Sequence, residues 1–224
     1  MNEELRTKVK IALLATSITL CFSYNSFSFD DGDFQYWNTE SVEWKIKEKY
    51  KIKLEEEFRF GDNVGTLYYQ HSDIGLTWSG FADWLELNAS YRQAFDIEKD
   101  KWHYENRPHL DATVKFDLLG LSLSDRSRVE YRNREHKDDD WRYRNKFTLS
   151  LPKATSYEIQ PYVADEVFFD LDDGVFNRNR LYGGVSLRLF KYMKLELYYL
   201  LQTTKDKKDW INYNVVGTKL KAVF

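Results

Sequence analysis

The chain has 224 residues, of which 17% are aromatic, with only 10 Gly and 3 Pro, a formal net charge of −3 and a mean hydropathy of −0.64. The near-neutral charge excludes a bulk electrostatic affinity for nucleic acid. The polar mean hydropathy excludes a helical membrane protein but not a membrane barrel, whose strands need only every second residue to be apolar.

The chain opens on a targeting pattern. Arg6, Lys8 and Lys10 give a basic start, and Ile11 to Phe22 is an apolar run too short to span a bilayer as a helix. Ser26 and Ser28 offer the small residues a signal peptidase reads, which places cleavage before Phe29 and predicts a signal peptide over residues 1–28; cleavage after Ser23 is the alternative. Cys21, the single cysteine, lies in the apolar run, so the mature chain 29–224 is expected to hold no disulfide. Leu20 stands where a lipid-anchored cysteine wants a small residue. A buried N-terminal helix is the competing reading, with no amphipathic helical partner downstream.

From Asp33 onward one pattern repeats: ten to fifteen residues of apolar–polar alternation, then a turn. Eleven such segments stand out, at 33–46, 50–60, 64–78, 84–95, 103–118, 121–134, 141–151, 157–169, 176–189, 192–202 and 209–224. In the second, Tyr50, Ile52, Leu54, Phe58 and Phe60 oppose Lys51, Lys53, Glu55, Glu57 and Arg59. These segments are about twice the usual soluble strand, the length a tilted membrane strand needs. The fold expected is all-β: a single antiparallel transmembrane β-barrel of ten to twelve strands.

Short connections near 47–49, 79–83, 119–120, 152–156 and 190–191 alternate with longer charged ones at 61–63, 96–102, 135–140, 170–175 and 203–208. Bacterial outer-membrane barrels have short periplasmic turns and longer outer loops. This phase sends the first and last segments the same way. Such barrels also have even strand counts, so a further short strand around 29–36 is expected, making twelve; a wrongly split strand, making ten, is the other solution. Trp102, Trp141 and Trp210 follow charged loops, while Trp44, Trp78 and Trp84 sit beside short turns. That placement suggests aromatic girdles at two interfaces. Glu56 and Asp165 fall in the lipid-facing phase and Pro108 and Pro161 fall within strands, which predicts bulges near them. The terminal Phe224, after Gly217, Leu220 and Ala222, is similar to the C-terminal signal recognised by outer-membrane assembly machinery. The location expected is the bacterial outer membrane, in contact with its lipid and lipopolysaccharide.

The polar phase is the inward surface of such a barrel. Its basic residues concentrate in three stretches: Arg126, Arg128, Arg132 and Arg134; Arg142, Arg144 and Lys146; Arg178, Arg180 and Arg188. The first two stretches flank one loop and form a basic ladder on one wall. Glu43, Glu55, Glu57, Glu86, Glu158, Glu166 and Glu196 supply a mixed opposite wall. Guanidinium groups in a lumen lower the barrier for anions and hold carboxylates or phosphates in bidentate fashion. A channel for small anionic solutes is therefore the first expectation. A closed barrel whose Arg and Glu side chains pair and fill the lumen is the second. A lipid hydrolase or acyltransferase is the third; His109 and Asp111 share a face, and Ser122 and Ser124 lie inward on the next strand. The sequence offers no metal-ligand spacing, no phosphate-binding glycine loop and no cofactor motif.

Several short motifs carry a resemblance: Asp33-Phe34-Gln35-Tyr36-Trp37, Glu57-Phe58-Arg59-Phe60, Arg142-Tyr143-Arg144-Asn145-Lys146-Phe147, Pro161-Tyr162, Glu166-Val167-Phe168-Phe169 and Asn179-Arg180-Leu181-Tyr182-Gly183-Gly184. Together they resemble an uncharacterised bacterial family of outer-membrane β-barrels, DUF2490, over nearly the whole mature chain. That resemblance implies a barrel and no activity. Size and an arginine-rich lumen are more loosely similar to small porins that import acidic sugars and oligogalacturonates; no binding residue carries over from them.

Overall fold

The structure, a computed structural model, describes residues 31–98, 101–206 and 209–224. The expected leader at 1–28, with Cys21 and both cleavage positions, lies outside the described residues. Eleven strands follow in order: β1 (Phe34–Lys47), β2 (Tyr50–Gly61), β3 (Thr66–Ala82), β4 (Leu85–Glu98), β5 (Lys101–Leu118), β6 (Leu121–Arg134), β7 (Asp140–Ser150), β8 (Gln160–Asp170), β9 (Val175–Phe190), β10 (Met193–Asp206) and β11 (Asp209–Val223). Each pairs antiparallel with the next, and β1 pairs with β11 to close the barrel. No described helix is long and apolar enough to cross a membrane, which says nothing of a crossing by strands.

The closing pair is parallel, with Phe34 opposite Asn214 and Glu43 opposite Val223. This corrects the expectation of a purely antiparallel sheet and resolves the parity problem. An odd number of up-and-down strands leaves its first and last members running the same way, so closure has to join them in parallel. The twelfth strand expected around 29–36 does not form among the described residues, because 34–36 already belong to β1 and the preceding residues turn. The Phe224 amide donates to the Glu43 carbonyl at 2.9 Å, and the Phe224 carbonyl accepts from Lys45 at 2.9 Å, locking the last residue into the seam.

The two ends differ less than the sequence suggests. β4, β5 and β10 extend into the charged segments, leaving only 99–100 and 207–208 between strands, while the longest connection, 151–159, lies at the end carrying the short turns. Glu158 therefore belongs to a turn, with φ of 51°, and not to a strand wall. At the same end β5 and β6 meet through Leu119 (φ 53°) and Gly120 (φ 82°), the two positive-φ positions of a tight hairpin. For brevity, the side holding 119–120 and Phe224 is the turn end, and the side holding 62–65, 135–139 and 171–174 is the loop end.

The barrel is apolar outside and polar inside. Among the described residues, twelve hydrophobic side chains are buried against twenty polar or charged ones, the reverse of a water-soluble domain. Leu54, Ile74, Leu110, Val129, Val163, Leu181 and Leu197 stay exposed on the outer face. Tyr131 packs on Trp141 and Phe176 on Trp210 near the loop end, while Tyr192 packs on Phe224 at the turn end. Bulges occur near strand ends, at Lys45/Lys47, Arg59/Phe60, Trp78/Ala82, Phe168/Phe169 and Met193/Lys194. None sits at Glu56, Asp165, Pro108 or Pro161, so the expected phase shifts there do not occur. Glu56 and Asp165 remain on the outer face and take hydrogen bonds instead, from Ser72 at 2.8 Å and Asn179 at 2.7 Å.

Candidate functional site

The interior divides into two halves. On β1 and β8–β11, Trp37, Tyr162, Ala164, Tyr182, Tyr198, Leu200 and Val215 form an apolar core. Leu200 and Val215 are partners across the β10–β11 ladder and are sealed from solvent. Gly217 makes this packing possible, because any Cβ there would run into the Tyr198 ring. On β2–β8 the interior is ionic, and the alternation that turns apolar residues out turns arginines and carboxylates in.

Two carboxylates organise the ionic half. Glu130 on β6 lies opposite Arg142 on β7 and accepts its Nε at 2.8 Å. It also accepts Arg144 Nη1 at 2.8 Å and Arg128 Nη1 at 3.4 Å. Glu166 on β8 accepts Arg144 Nη2 at 2.7 Å, Arg126 Nη2 at 2.6 Å and the Tyr182 hydroxyl at 3.0 Å, with Arg180 at 3.6 Å. Arg144 thus bridges the two acids. Beside them Arg128 grips Asp111 with two nitrogens at 2.5 and 2.8 Å, Arg132 grips Glu105 at 2.8 and 2.9 Å, and Arg92 reaches Asp73 at 2.9 Å. Such forked pairs are the strong form of ionic hydrogen bonding, and buried charges persist only when matched this way.

Toward the loop end this network opens into a cavity of about 250 Å³. Eight arginines and two carboxylates, Asp96 and Glu105, line it. Aromatic rings pack against its arginines. Arg59 stacks over Trp37 at 3.8 Å and over Tyr69 at 4.3 Å, while Arg144 and Arg180 lie 4.6 and 4.8 Å from the Phe168 ring. Phe168 and Trp37 are almost fully buried, so the ring faces hold guanidinium groups apart that would otherwise repel. Arg178 donates to Thr204 at 3.2 Å and pairs with no carboxylate among the described residues.

The ten basic residues singled out in the sequence all lie on the inward phase, but they do not form one ladder. Arg126, Arg128, Arg142, Arg144 and Arg180 are tied into the Glu130–Glu166 network. Arg132 and Arg178 line the cavity. Arg134 reaches Asp140 at 3.0 Å near the loop end, and Lys146 lies 3.7 Å from the centre of the Tyr182 ring. Arg188 sits far away at the turn end, paired with Glu158. The expected separation into a basic and a mixed wall is corrected by Glu166, which sits inside the arginine cluster because β8 is the neighbour of β7. Arg59, Arg92 and Arg107, on β2, β4 and β5, were missed as cavity residues; each stands alone on its strand, and only closure brings them to the same cavity.

The hydrolase constellation does not assemble. Asp111 is taken by Arg128, and the His109 Nδ1–H donates to the Arg107 carbonyl at 3.3 Å. His109 is level with Glu130, whereas Ser124 is level with Lys115 and Ser122 with Asp117. At about 3.3 Å per residue this separates the histidine from the serines by roughly 20 Å or more. Ser122 and Ser124 instead line an open groove at the turn end.

With this geometry in place, comparison with known families decides the membership. The model of a family described as a protein of unknown function, DUF2490, matches residues 34–213. The chain belongs to the DUF2490 family. The match runs from the first residue of β1 into β11 and so covers essentially the whole barrel. No curated protein matches the chain, and the looser similarity to acidic-sugar porins has no relative behind it.

Proposed function

We propose that this DUF2490 barrel resides in the bacterial outer membrane and captures small anions in its loop-end cavity, with the lumen below held shut by the Glu130–Glu166 network. The membrane reading is supported by the inverted surface, since an apolar band of this extent on a free-standing protein would aggregate. Lipid and lipopolysaccharide would cover that band. Phe224 at the turn end fits a periplasmic C-terminus offered to the assembly machinery, which turns the charged 135–139 and 171–174 loops outward.

The observation that carries anion capture is the eight-to-two excess of arginines over carboxylates around the cavity. Guanidinium forks suit carboxylate and phosphate, and Tyr68 and Tyr213 in the same lining are the rings that a sugar could meet. Small phosphates and acidic sugars are thus the ligand class. Free diffusion through the barrel is the second reading. The same arginine excess favours it, but it requires the Arg144 bridge to open, because Glu130, Glu166, Leu200 and Val215 are at most 1% exposed.

The test uses the refolded protein in two formats. In planar bilayers it should give no steady conductance. In micelles, phosphate and galacturonate should raise its melting temperature, while neutral galactose should not. Steady anion-selective conductance would replace capture by passage. A melting temperature insensitive to every anion would overturn both.

A further inference from the structure

We propose that His103, Glu135 and His136 form a binding site for a divalent transition cation at the rim of the barrel. The ladder between β5 and β6 pairs Glu105 with Arg134. Continued two residues toward the loop end, the same register brings His103 opposite His136. The two rings meet edge to face with centroids 4.2 Å apart. Glu135 lies between them, with Oε2 3.5 Å from His103 Nδ1 and Oε1 4.0 Å from His136 Nε2. One ligand atom from each residue falls within 4.8 Å of the other two.

The second observation concerns the His103 ring. Its Nε2 lies 3.3 Å from the Glu98 carbonyl, which can only accept, so Nε2 carries the hydrogen. In the neutral ring Nδ1 then presents a lone pair. That atom is sealed from solvent and has no hydrogen-bond partner, although a carboxylate oxygen is 3.5 Å away. A buried lone pair and a carboxylate oxygen facing each other repel unless a cation lies between them. A metal ion answers this directly, and the Glu98 carbonyl is the outer partner that a metal-bound imidazole generally has.

Glu135 is preorganised for the same task. Its amide donates to the Tyr104 carbonyl at 3.2 Å, and its Oε2 accepts the Tyr104 amide at 3.3 Å. His136 is exposed in the β6–β7 connection. Tetrahedral zinc with bonds near 2.1 Å needs donors roughly 3.4 Å apart, so His136 has to move by about an ångström. Two imidazoles and one carboxylate, with a fourth position left to water or an incoming anion, suit zinc better than calcium or magnesium. Bound metal would tie the 135–139 loop to β5, where Glu105 lines the cavity only two residues from His103. The site does not depend on the anion reading.

The test is calorimetric titration of the tag-free, metal-stripped full chain in detergent with zinc chloride. We expect one zinc per chain, no response to calcium, and an X-ray absorption spectrum with imidazole scattering. His103→Ala and His136→Ala should abolish binding. Glu135→Gln should weaken it by at least roughly tenfold, the scale on which even outer partners of metal ligands act. Circular dichroism separates lost binding from lost folding. No zinc uptake by the folded protein, or undiminished uptake by the double histidine variant, would reduce the cluster to a histidine–carboxylate ion pair and overturn the proposal.

Discussion

Arg142 Nε donates to Glu130 at 2.8 Å directly across the β6–β7 ladder, and neither side chain meets solvent to any useful extent. Glu130 also serves Arg144 and Arg128. Removing its charge strands Arg142 in a low-dielectric interior and leaves Arg144 and Arg128 with only Glu166 and Asp111 as their carboxylate partners among the described residues. Glu130→Gln should therefore destabilise the barrel by about 3–5 kcal/mol, read from urea unfolding in micelles. Glu130→Gln combined with Arg142→Gln should recover part of that loss, because fewer unpaired charges remain.

Arg178 and Arg188 are both inward arginines on β9, yet they should behave differently. Arg178 lines the cavity without a carboxylate partner among the described residues, while Arg188 is held by Glu158 at the far end. Arg178→Ala should weaken the stabilisation by phosphate, and Arg188→Ala should leave it unchanged. Equal effects would show that the anion response is a general charge effect.

Glu56 tests the environment of the outer face. It projects outward from the middle of β2 with Ser72 as its donor at 2.8 Å. In contact with lipid, replacing the pair by Glu56→Leu and Ser72→Ala should stabilise the barrel in bilayers by on the order of 1 kcal/mol. A loss of stability in vesicles would mean that this stretch faces water or a polar partner.

The 135–139 loop should loosen in acid. Asp139 accepts hydrogen bonds from the Tyr131 hydroxyl, at 2.5 Å, and from Asn133, at 3.0 Å. The Tyr131 bond, followed by the Asn133 bond, holds its carboxyl below the usual range. A depressed folded value means that the contribution is fully present above the unfolded value near 3.9 and is lost as pH falls through the folded one. Amide exchange in the loop should accelerate over that acidic window, and Asp139→Asn should remove this pH dependence.

Much of the barrel was legible before the fold. Alternation is local, so Tyr50 to Phe60 declares its own inward and outward faces. The eleven segments fall close to the eleven strands, and family-bearing motifs such as Arg142-Tyr143-Arg144 fall within them. Boundaries failed where charged residues continued a strand, as at Glu98 and Asp206, because hydrogen bonding to a long neighbour outweighs the polarity that suggests a loop. The bulges expected at Glu56 and Asp165 failed for a related reason: an outward carboxylate can be satisfied by a neighbouring Ser or Asn without any change of register.

The sequence by itself determined the strand class, the phase of each strand and the concentration of arginine on the inward phase, because all three follow from a two-residue period along one chain. Tertiary structure alone decided which strands touch. It joined β1 to β11 in parallel, set Glu166 among the arginines, took Asp111 away from His109 and placed His103 against His136. Those outcomes depend on closure and on register between strands, and neither is encoded in any single segment.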